Sequence, residues 1–223
     1  MILAIDTSTQ WMGIALLQEG EILYEKVWRS RRRHTVELAP AIQAAVQDCG
    51  MKMADLSAIA VALGPGSFTS LRIGLAMAKG LALALRVPVV GIPSLEICAA
   101  GLPPQDKPLL AVLKAGRKRL AVQRFQAAEK RWQAQGEIFM ASAMELLGEI
   151  QEPTLICGEI SAEERKILER KWRNALVADP AENMRRPARL ALLAAARLEH
   201  AQPDDVVTLA PIYVQTLNTP AGV

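Results

Sequence analysis

The first hundred residues alternate short apolar runs with polar turns. Ile2–Ile5 is apolar and closes on Asp6, which predicts a buried strand. Thr7-Ser8-Thr9-Gln10 is a polar turn, Trp11–Leu17 a second strand, and Gln18-Glu19-Gly20-Glu21 a second turn. Ile22–Trp28 alternates apolar and polar positions, so a three-stranded meander opens the chain. After the basic loop Arg29–Arg33, the positions Leu38, Ile42, Ala45, Val46 and Cys49 recur at helical spacing. They predict a helix over Thr35–Asp48 with Thr35 as its cap. Pro40 falls in or near the first turn of that helix, where a missing N–H costs little. A helix begun as early as Thr35 would be tilted by it. Ala58–Leu63 predicts a fourth strand, Phe68–Arg86 a long helix, Pro88–Ile92 a fifth strand and Ser94–Ala100 another helix.

The order βββαβαβα is that of an RNase H-like lobe, a mixed sheet covered by helices. Gly101–Pro108 is rich in proline and polar residues and marks a boundary. We therefore expect an N-terminal lobe over 1–102 and a smaller C-terminal lobe over 103–223, its last segment able to pack back on the first. The pattern repeats in the second half. Strands are expected at Leu109–Lys114, Leu120–Gln126, Arg131–Met140, Thr154–Cys157 and Ala175–Ala178, and helices at Ser142–Ile150, Ser161–Lys171 and Pro187–His200. Two lobes of similar order imply an internal duplication. The tail from Thr216 to Val223 is expected to be loose.

With 51% hydrophobic and 22% charged residues in a chain of 223, a folded core is expected. Aromatics at 4% are too few for stacking platforms to dominate. A net charge of +3 is too mild to argue for nucleic-acid binding by bulk charge. The three cysteines, Cys49, Cys98 and Cys157, form no CxxC pair, so neither a zinc site nor a disulfide framework is expected, and a reduced cytoplasmic compartment fits. His34 and His200 are the only histidines, which excludes a His-rich metal site and a zincin motif. The start lacks a basic n-region, and no window offers the ~20 uncharged apolar residues of a membrane span.

Three segments could carry chemistry. Asp6 ends the first strand and faces a Thr/Ser turn; in the actin and hexokinase superfamily such a turn holds phosphate while the acid orients a metal-bound water. Here that turn has no glycine before Gly13, and Asp6 and Thr7 can equally cap strand ends. Gly64-Pro65-Gly66-Ser67-Phe68-Thr69-Ser70-Leu71-Arg72-Ile73-Gly74 joins a strand to a helix N-terminus, where free N–H groups can bind an anion. Leu71–Leu85 holds only two charges, Arg72 and Lys79, on one stripe. A helix apolar nearly all round is buried on more than one side. The small residues Gly74, Ala78 and Ala82 would let another helix approach. The basic clusters Arg29/Arg31/Arg32/Arg33, Arg117/Lys118/Arg119 and Arg185/Arg186/Arg189 are solvated loop charges or contacts to RNA phosphates.

Taken together, the segments resemble the TsaB (YeaZ) family. The matching pieces are Ile2–Thr9, His34-Thr35 with Leu38 and Pro40, the Gly64–Gly74 string, Lys79-Gly80-Leu81-Ala82 and Pro88–Leu95, with Ala210-Pro211-Ile212-Tyr213-Val214 near the end. The resemblance implies a two-lobed actin/hexokinase/heat-shock-chaperone-like (ASKHA) α/β fold with duplicated RNase H-like lobes, the second reduced. It implies a non-catalytic partner in N6-threonylcarbamoylation of adenosine 37 in tRNAs reading ANN codons. The partners would be a TsaD-type catalytic subunit and a TsaE-type ATPase, with a homodimer when alone and tRNA met through the complex. Pairing would use the two predicted helices, through Leu38, Ile42, Ala45, Leu71, Gly74, Leu75, Ala78 and Ala82. No tightly bound cofactor is implied; Asp6, Thr7 and Ser8 would be a vestigial phosphate loop, with ATP or ADP confined to the seam with partners. The sequence departs from the family where Lys114-Ala115-Gly116-Arg117 replaces an Asp-Ala-Arg-like strand end and where Val214-Gln215 follows the terminal Tyr. The alternative function is a small ATP-dependent phosphotransferase using Asp6. A metalloprotease is opposed by two isolated histidines.

Overall fold

The computed structural model describes residues 1–31, 33–116 and 119–214. The first lobe runs β1 (Ile2–Asp6), β2 (Trp11–Gln18), β3 (Glu21–Arg29), α1 (His34–Asp48), β4 (Ala58–Ala62), α2 (Phe68–Leu85), β5 (Val89–Ile92) and α3 (Ser94–Ala99). The second runs β6 (Leu109–Lys114), β7 (Leu120–Ala128), β8 (Arg131–Ala141), α4 (Ala143–Glu149), β9 (Thr154–Gly158), α5 (Ala162–Leu168), β10 (Ala175–Val177) and α6 (Pro187–His200). The sheets have the orders β3-β2-β1-β4-β5 and β10-β9-β6-β7-β8. With β6 set on β1 and the rest in sequence, the two orders are the same, so the duplication is topological. Each sheet is antiparallel across its meander and parallel beyond it. The second lobe is reduced in its helices and not in its strands: α4 and α5 have seven residues each, against 15 in α1 and 18 in α2.

The run of apolar residues in β1 and β4 follows from cover on both faces. Leu3, Ile5, Ile59 and Val61 point into a core with Leu38, Ile42 and Ala45 of α1 and Leu75, Ala78 and Ala82 of α2. Ala4, Ala60 and Ala62 point the other way, to Leu190, Ala191 and Ala194 of α6. The small side chains on both sides of that second contact let α6 lie close to the sheet. In exchange, α3 lies on the second sheet, where Leu95, Cys98 and Ala99 pack with Leu109, Ala111, Phe125 and Cys157. Each lobe's final helix thus covers the other lobe's sheet, and the two lobes are interlocked. A separate core under α4 and α5 holds Val112, Leu146, Leu147 and Leu168.

Beyond α6 the chain returns along the first lobe. Asp204 bridges Val89 and accepts from Gly91 N–H at 2.8 Å. Lys79 Nζ donates to the Val207 carbonyl at 3.1 Å, and Ile212 N–H donates to the Leu63 carbonyl at 2.7 Å. The tail from Thr216 and the departure at Gln215 lie outside the described residues.

Helix α1 starts at His34, so Thr35 does not cap it, and Pro40 sits inside the helix rather than in its first turn. The helical bond that Pro40 cannot donate would have gone to the Val36 carbonyl. Both residues are exposed, which leaves that carbonyl to water. Helix α2 starts as expected, with the Ser67 hydroxyl accepting from Ser70 N–H and from the Ser70 hydroxyl.

Candidate functional site

Asp6 is 2% exposed, at the end of β1 where the two lobes meet. Its carboxylate is paired with the Arg185 guanidinium, which comes from the segment before α6 and is itself buried. Arg185 also donates to Glu159 Oε1 at 3.2 Å, to Thr9 Oγ1 at 3.3 Å and to the Trp11 carbonyl at 3.4 Å. The Thr9 hydroxyl donates to Glu159. Burial works against the guanidinium charge, but Asp6 and Glu159 outweigh it and hold the Arg185 pKa above its ordinary value. The result is a buried network of two carboxylates, one cation and one hydroxyl joining the lobes.

The Thr/Ser turn is engaged in the same way. Ser8 N–H donates to Asp6 Oδ1 at 2.9 Å, the Thr7 hydroxyl donates to the Ser70 carbonyl at 2.7 Å, and the Ser8 and Ser94 hydroxyls share a bond at 2.6 Å. The Gly64–Gly74 segment is pressed onto this turn. Ser67 N–H donates to the Ser8 carbonyl at 2.7 Å. A Cβ at Gly66 would stand 2.1 Å from that carbonyl oxygen, and one at Gly74 would stand 2.2 Å from Thr7 Oγ1. These glycines serve close packing between two segments of the chain. A nucleotide phosphate at such a turn needs free N–H groups, free hydroxyls and a carboxylate able to orient a metal-bound water. The Asp6 carboxylate, the Thr7 and Ser8 hydroxyls and the Ser8 N–H are all engaged by protein partners, so these groups do not fit a phosphate loop.

An open cleft of about 680 Å³ lies between the lobes next to this network, lined by Thr9, Trp11, Phe68, Lys114 and Glu159 among others. Lys114 is exposed at the end of β6. His34 is buried and its Nε2 lies 3.0 Å from the Thr9 carbonyl; His200 is exposed at the end of α6.

The eight residues expected at a partner interface lie inside the chain. Leu38, Ala45, Leu71 and Ala78 are at most 1% exposed, and Ile42, Leu75 and Ala82 are also buried. Gly74 is held against Thr7. That expectation is corrected: Leu38, Ile42, Ala45, Leu75, Ala78 and Ala82 pack into the core over the chain's own sheet, and Leu71 and Gly74 are buried as well. The helix nevertheless has a second apolar side. Ala76, Gly80, Leu83 and Ala84 are exposed, and Ile73, Met77 and Leu81 are half-buried. Leu83 is 64% exposed and Phe68 53%. A Cβ at Gly80 would meet nothing within 4 Å. The outward small stripe is thus Ala76-Gly80-Ala84, two residues and about 200° round the helix from Gly74-Ala78-Ala82. Beside it, a groove of about 400 Å³ between α1 and α2 is lined by Val46, Met51, Met53, Met77 and Leu81. By length and composition alone α2 could cross a membrane, with mean hydropathy 1.4; its buried face packs on β4 as a core helix does.

The basic clusters are largely tied up. Arg185 is in the buried network, Arg186 pairs with Glu25, and Arg119 pairs with Glu145 at 2.7 Å. Arg29 donates to Gln10 at 3.0 Å. Arg32, Arg117 and Lys118 lie outside the described residues. Reading Arg185 as an RNA contact is corrected by its burial. Nothing in the local sequence around Met184-Arg185-Arg186 marks one arginine as buried, because its partners are 26 and 179 residues away.

Comparison with known proteins agrees with this architecture. Residues 22–171 match a family model described as TsaD, tRNA N6-adenosine threonylcarbamoyltransferase. The chain is 32% identical over 218 residues to the tRNA threonylcarbamoyladenosine biosynthesis protein TsaB of Bacillus subtilis, covering 96% of this chain and 93% of that one. It is 38% identical over 100 residues to the protein of the same name in Escherichia coli, covering 45% of this chain and 43% of the relative. Among solved structures, a Pseudomonas aeruginosa protein with similarity to peptidase YeaZ superposes with a TM-score of 0.79 at 22% identity, over 96% of this chain and 99% of that one. The ethanolamine utilization protein EutJ of Carboxydothermus hydrogenoformans superposes with a TM-score of 0.52 at 13% identity, over 85% and 88% of the two chains. These likenesses show the fold, the two-lobed actin-like one. Identity at this level over nearly the full length of both chains places the protein in the TsaB family.

Proposed function

We propose that this chain is a non-catalytic subunit in N6-threonylcarbamoylation of tRNA adenosine, and that it works by pairing through the outer side of α2 and the neighbouring groove with a TsaD-type catalytic subunit. The observation that carries this reading is the outward stripe of α2. Ala76, Gly80, Leu83 and Ala84 are exposed and, with the half-buried Ile73 and Met77 beside them, form an outward apolar strip. Contiguous exposed apolar strips of this kind mark interaction sites. Gly80 sharpens the case: an exposed glycine in a helix interior is about 1 kcal/mol less favourable than alanine, and no neighbour in the chain requires it. Close approach of an outside helix would require it.

The absence of a catalytic role rests on Asp6. In an enzyme of this fold the carboxylate would face substrate; here it is neutralised by Arg185. The phosphotransferase reading therefore has no free acid to use. A TsaE-type ATPase would join the pair, tRNA would be met through the complex in the cytoplasm, and any ATP or ADP would lie at the seam with partners. Alone, the chain would cover the same strip by forming a homodimer.

The test is co-purification with the TsaD-type subunit and sedimentation of the isolated chain. Leu83→Glu and Ala76→Glu are expected to abolish both pairing and self-association while leaving a folded monomer. Pairing unchanged by both substitutions would overturn the assignment of this face.

A further inference from the structure

A second concavity, sharing no lining residue with the α1–α2 groove, lies where the lobes interlock. It has a volume of about 460 Å³ and is enclosed by α3, α6, the β7–β8 turn and the linker after α3. Its apolar walls come from Leu102, Trp132, Leu192 and Leu193. The Trp132 ring is fixed there, because its Nε1–H donates to the Leu102 carbonyl at 2.9 Å. Three cations also line it: Lys130, Arg131 and Arg189. Among the described residues none of the three forms an ion pair, although seven other arginines do. One carboxyl, Glu96, also lines the space. It has no hydrogen-bond or ion-pair partner among the described residues. Burial pushes its pKa up, and Arg197 opposes this only in part.

Concave sites of a few hundred cubic ångströms with apolar walls and a few convergent charges are the usual form of small-molecule sites. Guanidinium groups favour carboxylate because their paired donors match its two oxygens. We propose that this groove binds a small amphipathic carboxylate, with its apolar body against Trp132 and Leu193 and its anionic head on Arg131 and Arg189. Charge complementarity selects this occupant: three unpaired cations beside an apolar floor leave the space electropositive, and one carboxyl does not cancel them. The site shares no lining residue with the α1–α2 groove and includes no residue of α2, so occupancy would not compete with the pairing proposed above.

The test uses the full chain and the four tryptophan indole N–H signals in a ¹⁵N-correlated NMR spectrum, with that of Trp132 assigned by its loss in Trp132→Phe. The probe is 2-naphthoate, and the control is the uncharged 2-naphthamide. Naphthoate is expected to shift the Trp132 signal saturably while the other three stay in place, and the amide to bind at least fivefold more weakly. The double substitution Arg131→Ala, Arg189→Ala is expected to weaken naphthoate at least fivefold with the other indole signals unmoved, which reports an intact fold. Glu96→Gln, which removes the opposing charge, is expected to tighten it. No shift of the Trp132 signal, equal binding of acid and amide, or binding indifferent to loss of both arginines would overturn the proposal.

Discussion

The guanidinium of Arg185 lies against the carboxylate of Asp6, 179 residues earlier in the chain, and both side chains are 2% exposed. This pair is a buried tie between the two lobes. Removing one member of a buried pair leaves an uncompensated charge and typically costs about 3–5 kcal/mol, whereas neutralising both is often tolerated. Arg185→Gln alone is therefore expected to lower stability by that order. Adding Asp6→Asn to it should recover part of the loss, so that the double substitution costs less than the sum of the two singles. Urea unfolding of the three variants measures the coupling; strict additivity would deny it.

The two sides of α2 should respond oppositely to similar changes. Gly80→Ala adds a methyl group into open space and is expected to stabilise the isolated chain by about 0.5–1 kcal/mol, while weakening association if a partner helix packs there. Ala78→Glu places a charge at a position with 0% exposure and is expected to prevent folding. Thermal melts alongside co-purification distinguish the two. A Gly80→Ala chain that associates as well as the parent would mean that nothing approaches Gly80 closely.

The contact between the Gly64–Gly74 segment and the Thr/Ser turn gives a third expectation. Gly66→Ala must displace the backbone carbonyl of Ser8, which lies 2.1 Å from the new atom. Overpacking against backbone is expected to cost about 1–3 kcal/mol or more. The comparison is Gly148→Ala, at a helix position with open space, which should be neutral or stabilising. Equal melting temperatures for the two variants would contradict the packing described.

The cysteines should separate by accessibility and by pH. Burial pushes the Cys98 thiol up to about 12 from an ordinary 9.0 and raises Cys157 well above that ordinary value, while Cys49 is partly exposed. At pH 8 native protein should release one equivalent of label, from Cys49, and three after unfolding. The neutral thiol is the folded form, so the stability it carries is fully present below pH 9. That stability falls as pH rises toward 12, by about 1.4 kcal/mol per pH unit for each buried thiol. Rapid labelling of Cys98 in the native state would contradict its placement.

The periodicities of the chain carried the architecture well. Period-two and period-3.6 patterns located every strand and α-helix of the first lobe to within a residue or two, though not the short 3-10 turn Met53–Asp55, and the repeat of their order gave the duplication. Two features were beyond reach. The apolar circumference of α2 shows that two sides need cover, but not which side meets the sheet. Gly74-Ala78-Ala82 and Ala76-Gly80-Ala84 are equivalent stripes until Thr7 is placed against Gly74. Likewise Arg185 and Arg186 are adjacent arginines in sequence. Only the return of the second lobe to the end of β1 buries one and leaves the other on Glu25 at the surface. Such choices depend on contacts 67 and 179 residues apart, which no local pattern encodes.

The most direct measurement is the amount of N6-threonylcarbamoyladenosine in bulk tRNA, read by nucleoside mass spectrometry, in cells depleted of this protein and complemented with variants. The account predicts a fall on depletion, full restoration by the parent chain and by the folded Asp6→Asn, Arg185→Gln pair, and none by Leu83→Glu. No fall on depletion, or restoration by Leu83→Glu but not by the Asp6 variant, would contradict it.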